Sequence, residues 1–377
     1  MPFRNYHFRN FDILLVLMVA ALSFIGYVAI GSAEPDLQSR QLFGYASGAV
    51  LMIVLVFLDY HFVLKFYWLI YLFNLVLLTL VLLMGESSHN AQRWLKIGGL
   101  QFQPSELAKI LLILFFAAFI MRFKERFNTF PVICACIALF AVPFALVFEQ
   151  PDLSTSIMLM ILFFVIMYSG KISYKVVLGF LIIAVPVVLI ASSYILNPNN
   201  EILEAYQMNR LLGFLYPEEY PDIAYQQNNS VTAIASGMLE GKGYRNNEIT
   251  SVKNGNFLSE AQTDFIFAVI GEEFGFYGAA LTIILLFLVS LRCISIARRA
   301  PDLSGSIIAA AVGSMIAFQS FINIGVATFL LPNTGLPLPF VSYGLTSVWT
   351  LYIGIGLVLN IKLQVKRGNS STVDELN

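Results

Sequence analysis

The sequence predicts an all-α polytopic membrane protein, with ten transmembrane helices and a large extracellular loop between helices seven and eight. Three observations carry that prediction. Of 377 residues, 58% are hydrophobic and only 12% are charged, against about 45–50% and about 25% in an ordinary soluble domain. The apolar residues fall in runs that reach the roughly 20 residues a bilayer crossing needs. Lys and Arg are spread unevenly over the segments between those runs.

In chain order the runs place helices at about 11–32, 40–58, 63–84, 105–121, 131–148, 153–169, 174–196, 265–291, 305–331 and 342–361, the fourth and sixth being short. The first run follows Arg4 and Arg9 and ends at Gly31-Ser32-Ala33, as a signal peptide would. From Phe11 to Ile30, however, it exceeds a signal core of about 7–15 residues, so it is read as a retained helix. Ten crossings put both termini on one side. With that side cytoplasmic, fourteen Lys and Arg lie in inner segments and seven in outer ones, Lys109 being inside a helix. The positive-inside rule therefore makes both termini cytoplasmic.

The connection at 197–263 is polar, rich in Asn and Tyr, and placed outside. Structureless loops beyond about 12–15 residues are usually functional or disordered, and Val231 to Leu239 suits a short amphipathic helix ended by Gly241. A partly folded outer cap is expected. Residues 367–377 are expected to be a short disordered cytoplasmic tail. No internal repeat of the transporter kind is visible. The net charge of −1 gives no electrostatic case for nucleic acid. Cys134, Cys136 and Cys293 read as small core residues, and His7, His61 and His89 have no metal-ligand spacing, so no protein-ligated metal site is predicted.

Ionisable groups at membrane depth cost about 2.5–3.5 kcal/mol each, so each needs a reason. Glu106 and Lys109 share one helix face and can pair; they either lock helix packing or form a charged wall of an outward-opening polar cavity. Asp264 lies where the long loop meets the eighth helix, as a helix cap or as a catalytic base facing the headgroups. Glu272 and Glu273 follow eight and nine residues later, among Gly271, Gly275 and Gly278. That is roughly 12 Å deeper along a straight helix, where packing partners are expected. Asp152 is placed to cap the sixth helix. Arg93, Lys96, Arg210, Lys242 and Arg245 are outer cations that could hold phosphate oxygens. Residues 331–344, uncharged and dense in Pro and Gly, suit a rigid re-entrant path buried in protein or lining a cavity.

Several of these segments, taken in order, resemble one family. They are Arg93-Trp94-Leu95, Gln103-Pro104-Ser105-Glu106 with Lys109, Gln150-Pro151-Asp152-Leu153, Tyr225-Gln226 with Ser230, Ser236-Gly237 with Gly241-Lys242-Gly243, Thr263-Asp264-Phe265-Ile266-Phe267 through Gly271-Glu272-Glu273, and the Pro-rich loop before Ser342-Tyr343-Gly344. The family is SEDS (shape, elongation, division and sporulation), which includes RodA, FtsW and SpoVE. Nearly the whole chain matches, as a single SEDS-type domain over 1–377. Gln262 stands where the family usually has His, Ser154 where it has Gly, and Leu345-Thr346 where it has Gly-Ser.

The resemblance implies a bacterial cytoplasmic-membrane enzyme that polymerises peptidoglycan glycan strands from lipid II. It implies a class B penicillin-binding protein as the transpeptidase partner, and no nucleic acid. The family's essential aspartate matches Asp264, and its paired acid and lysine match Glu106 and Lys109. An α-linked diphosphate donor giving a β-1,4 glycoside requires inversion, hence a single in-line displacement. Asp264 would take the proton from the acceptor hydroxyl. The departing undecaprenyl diphosphate would be stabilised by Arg93, Lys96, Arg210 or Lys242, or by a divalent metal such as Mg or Mn. The short termini lean toward the elongation branch, with division or sporulation as the alternative. A lipid II flippase and a chemistry-free scaffold for the transpeptidase are the rival functions. A flippase needs a polar path between both faces, and a scaffold needs no ionisable group at Asp264.

Overall fold

The computed structural model describes residues 6–88, 91–97, 100–150, 152–179, 205–245, 258 and 260–365. The helices are α1 (Ile13–Ala33), α2 (Pro35–Phe57), the short α3 (Tyr60–Leu64), α4 (Tyr67–Met84), α5 (Pro104–Arg122), α6 (Phe130–Phe148), α7 (Leu153–Ser169), α8 (Ala205–Leu215), α9 (Pro221–Ser236), α10 (Ile266–Arg298), α11 (Leu303–Ala327) and α12 (Leu345–Leu363). Among them α1, α2, α4, α5, α6, α10, α11 and α12 are long and apolar enough to cross a membrane, and the apolar α7 has 17 residues. The chain is an all-α polytopic membrane protein. The run expected at 174–196 lies outside the described residues beyond 179, as do all of 180–204 and the tail at 367–377.

Helix starts follow local chemistry. Asp12, Asp152 and Asp302 accept the amides of Leu15, Thr155 and Gly305, while Pro35, Pro104 and Pro131 occupy first turns where a missing N–H costs nothing. Burial separates the helices by role. In the most apolar stretches of α5, α11 and α12, 78%, 67% and 83% of residues are buried, against 22% in α4 and in α6. The first three are therefore the centre of the bundle and the other two its lipid-facing rim. One end of the bundle is closed by local polar contacts. Asn360 donates to the Val56 and Leu58 carbonyls, His61 bridges Asp59 and Asp302 at 2.9 Å each, and Arg292 Nε meets Asp12 at 2.7 Å.

The opposite end carries the irregular segments. Between α4 and α5 the chain forms a small antiparallel sheet, β1 (Glu86–Ser88), β2 (Ala91–Ile97) and β3 (Leu100–Phe102), in the order β1-β2-β3. Strands of three to seven residues give too short an alternation to read from sequence. The amphipathic helix expected at Val231 to Leu239 is the C-terminal part of a longer one, α9, which ends at Ser236 and continues as turns to residue 240.

Residues 331–344 are non-helical, as expected, with Leu336, Leu338, Phe340 and Val341 buried. Buried carbonyls at this depth need donors, and side chains from four helices supply them. Gln227 of α9 donates to the Leu331 carbonyl (2.9 Å), Asn323 and Gln319 of α11 to those of Leu336 (2.8 Å) and Pro337 (2.9 Å), and Tyr45 and Gln41 of α2 to those of Phe340 (2.7 Å) and Ser342 (3.2 Å). Ser154 of α7 donates to the Thr334 carbonyl.

Helix α10 is not straight. At Gly275 the backbone leaves helical geometry (φ 61°, ψ −158°), and the groups that the break unpairs are taken up by the turn after α9. The amides of Lys242 and Gly243 donate to the carbonyls of Glu272 (2.9 Å) and Glu273 (3.0 Å); the amides of Phe276 and Tyr277 donate to those of Met238 (2.9 Å) and Leu239 (3.3 Å). Residues Ile266 to Glu273 are all buried in protein, and Phe276 and Tyr277 are exposed. The membrane-facing part of α10 thus begins after the break. A Cβ at Gly275 would lie 2.4 Å from the Gly241 nitrogen and 2.6 Å from the Leu239 oxygen, whereas Gly243 (φ +93°) has open space around it. Gly275→Ala should therefore lower the thermal unfolding midpoint in detergent far more than Gly243→Ala, whose cost is limited to about 1–2 kcal/mol of backbone strain. Equal midpoints for the two variants would contradict the splice.

Candidate functional site

Asp264 sits at the irregular end of the bundle in a tight turn. The Glu260 carbonyl accepts the amides of Thr263 (3.3 Å), Asp264 (3.1 Å) and Phe265 (3.3 Å). The N-cap of α10 is Phe265, with no side-chain cap. The capping account of Asp264 therefore does not hold. The turn is fastened to the re-entrant loop on both sides. Ser342 Oγ donates to the Thr263 carbonyl (2.6 Å) and accepts the Leu338 amide (2.7 Å), while the Tyr343 amide donates to the Gln262 carbonyl (2.9 Å). Asn323 Nδ2 donates to the Asp264 carbonyl at 2.9 Å. Gln262, in the place of the family's usual His, reaches Glu260 at 3.3 Å, and Thr263 Oγ1 donates to the same Glu260 oxygen at 3.0 Å.

The carboxylate faces Gly335. A Cβ there would stand 3.3 Å from Asp264 Oδ2 and 4.0 Å from Arg210 Nη1, and the backbone at Gly335 has φ +75°. Only glycine adopts that conformation without strain while letting the carboxylate approach so closely. Three separate segments meet at this point, α8 through Arg210, the 260–265 turn and the loop, and the charge of Arg93 on β2 also reaches Asp264. Part of Asp264 reaches the surface, but its carboxyl is strongly desolvated. Burial, with the like charge of Glu260 added, raises its pKa to about 6 against the opposing pull of Arg210 and Arg93. A carboxylate held there is a far better proton acceptor near neutral pH than an ordinary aspartate.

The other expected site residues fall in different places. Glu106 and Lys109 form a buried ion pair at 2.7 Å. Lys109 also donates to Gln319 Oε1 (3.2 Å), whose Nε2 donates to the Pro337 carbonyl (2.9 Å). The pair thus acts as a strut under the loop. The crevice that Lys109 borders is otherwise apolar, lined by Leu112, Phe116, Phe140 and Phe163 among others. Lys96 is exposed on β2, an odd number of residues from Arg93 and so on the other face of the strand. Lys242 pairs with Glu272 at 2.9 Å, two turns beyond Asp264, and the Arg245 amide donates to Glu273 Oε1 (3.2 Å), which also accepts from Ser32. Lys242, expected among the outer cations, thus stands beside the α10 break. Asp152 caps α7 and takes further bonds from Gln103 (3.3 Å) and Ser105 (3.4 Å).

Among the described residues no group of three or more His, Cys, Asp or Glu could hold a metal ion. Two cations, Arg210 and Arg93, act on Asp264, and no chemistry below is routed through a metal. Sequence reasoning passed over Glu260, Gln319, Asn323 and Gly335. For the two amides a signal was present, since polar residues four apart inside the apolar 305–331 run share one helix face.

A family model for FtsW, RodA and SpoVE, described as cell cycle protein, matches residues 5–367. The probable peptidoglycan glycosyltransferase FtsW of Haemophilus influenzae is 34% identical over 367 residues, covering 93% of this chain and 90% of that protein. The probable peptidoglycan glycosyltransferase FtsW of Bacillus subtilis is 30% identical over 375 residues, covering 95% and 92%. The crystal structure of the rod shape determining protein RodA of Thermus thermophilus superposes with a TM-score of 0.69 at 27% identity, covering 95% of this chain and 98% of that one. A chain of a peptidoglycan synthase complex, solved for its coordination of polymerization and crosslinking, gives 0.78 at 29% identity, covering 95% and 99%. With the family model spanning all but the ends of the sequence and the fold shared from end to end, this chain belongs to the FtsW/RodA/SpoVE family, the SEDS proteins.

Proposed function

We propose that the chain is a peptidoglycan glycosyltransferase that polymerises lipid II with inversion at the anomeric carbon, using Asp264 as the base. The observation that carries this reading is the desolvated Asp264 carboxylate, which does not cap its helix, is raised to about 6 and stands against Gly335 beside Arg210. The acceptor's 4-hydroxyl oxygen attacks the anomeric carbon of the lipid-linked donor as its proton passes to Asp264, and the bond to the diphosphate oxygen breaks with the electron pair leaving on undecaprenyl diphosphate. Arg93 and Arg210, the two cations whose charge reaches Asp264, are assigned the departing phosphates. Lys96 and Lys242 are not assigned that task. Glu106 and Lys109 act through the loop, not on substrate.

The irregular end faces outward and both termini lie in the cytoplasm, the orientation the Lys and Arg distribution supports. The complex whose chain shares this fold couples polymerization to crosslinking, which supports a class B penicillin-binding protein as partner. The curated relatives named above are FtsW proteins, which favours a role in division over the elongation role suggested by the short termini.

Asp264→Asn keeps size and loses the proton acceptor. With labelled lipid II, the purified variant should fold, keep its partner and make no glycan; substantial polymer from it would end the assignment. Only the ionised carboxylate accepts a proton, so the wild-type rate should climb with pH through about 6 and level off above. Glu260→Gln removes a like charge and should move that limb to lower pH; Arg210→Gln removes an opposite charge and should move it higher. Shifts of the same sign would refute the electrostatic account. Lys109→Met strands the Glu106 charge and should cost about 3–5 kcal/mol of stability. The double variant with Glu106→Gln should recover most of that loss in thermal unfolding.

A further inference from the structure

Two amide side chains one turn apart on α11 face the re-entrant loop. Gln319 is used at both ends, accepting from Lys109 and donating to the Pro337 carbonyl. Asn323 is used differently. Its Nδ2 donates to the Asp264 carbonyl at 2.9 Å and to the Leu336 carbonyl at 2.8 Å, while its Oδ1, fully buried, has no hydrogen-bond partner among the described residues. Both neighbours are acceptors, so only the NH2 group can face them, and the oxygen is left without a donor as a result. A buried acceptor without a donor is a cost to folding that an apolar side chain would not incur. What the cost secures is a single nitrogen that ties the turn carrying Asp264 to the residue next to Gly335, the glycine against which the carboxylate rests.

We propose that Asn323 is a positioning residue for glycosyl transfer: its two hydrogen bonds fix the separation of the 260–265 turn from the re-entrant loop, and so hold the Asp264 carboxylate in line with the attacking hydroxyl. The inference rests on the assignment of Asp264 as the base. Side chains of the loop do not perform this task. Ser342 and Tyr343 bond the carbonyls of Thr263 and Gln262, one and two residues earlier, leaving the peptide of Asp264 itself to Asn323. Misplacing a reacting group by about 1 Å costs on the order of 100-fold in rate, so a lost tether should appear in turnover first.

The test uses the full chain with its co-purified transpeptidase and labelled lipid II. Asn323→Leu should lower kcat by about 30- to 100-fold with KM for lipid II within about threefold of wild type. The acidic limb of its pH profile should move down, toward the ordinary carboxylate range, as Asp264 relaxes out of its desolvated seat. Asn323→Ser keeps one donor and should lie between the two, and it carries the test if the Leu variant does not fold. A kcat per folded molecule within threefold of wild type in the serine and leucine variants would overturn the proposal. So would a fall in kcat with the pH limb unmoved, which marks a merely structural bond. If wild-type protein makes no glycan at any pH, it is the base assignment that fails, and the positioning role falls with it; a productive wild type with tolerant Asn323 variants sinks the positioning role alone.

Discussion

A peptide chain that abandons helical structure inside a membrane bundle must find a hydrogen-bond donor for every carbonyl it buries. In this protein the loop at 331–344 finds side-chain donors for six of its carbonyls, and its requirements organise the centre of the molecule. The donors come from α2, α7, α9 and α11, so elements far apart in sequence are held in register by one irregular strand of backbone. The bundle is built round its least regular part. Because the same loop presents Gly335 to the Asp264 carboxylate, the helices that satisfy its carbonyls also define the reactive position.

That arrangement gives the buried charges distinct duties. Glu106 and Lys109 look like a site from their positions in an apolar helix, yet they brace the loop through Gln319. An ion pair so deeply buried contributes little net stability, but it fixes where Gln319 stands. Asp264 is the contrasting case. It has no side-chain role in capping its helix and is surrounded by two cations and an acid whose effects oppose one another. Burial decides the balance, leaving a carboxylate with appreciable basicity where two guanidinium groups alone would have produced a very weak base.

The sequence made much of this legible, for identifiable reasons. Long apolar runs and the Asp or Pro at their starts place the spans, because lipid admits few alternatives. Asp264, Arg93 and Arg210 stand out because charge near a membrane is conspicuous. What could not be read depends on pairing across distance. The parity that separates Arg93 from Lys96 exists only once β2 is known to be a strand. The commitment of Lys242 to Glu272 spans thirty residues, and nothing local announces it. Gly275 was noticed as a small residue for close packing, yet its service is a backbone conformation closed to other residues. Gln319 and Asn323 are the instructive omission, since uncharged amides within an apolar run draw less notice than charges and here hold more of the site together.

The spliced break in α10 has a mechanical consequence. An unbroken helix would carry any tilt of its lipid-embedded portion straight up to the residues at its mouth, and bilayers of differing thickness impose such tilts. With its ladder interrupted at Gly275 and the severed groups of both portions tied to the 238–243 segment, a lean of the lower portion is no longer borne by one continuous rod. It is shared with the outer turn that fastens both halves.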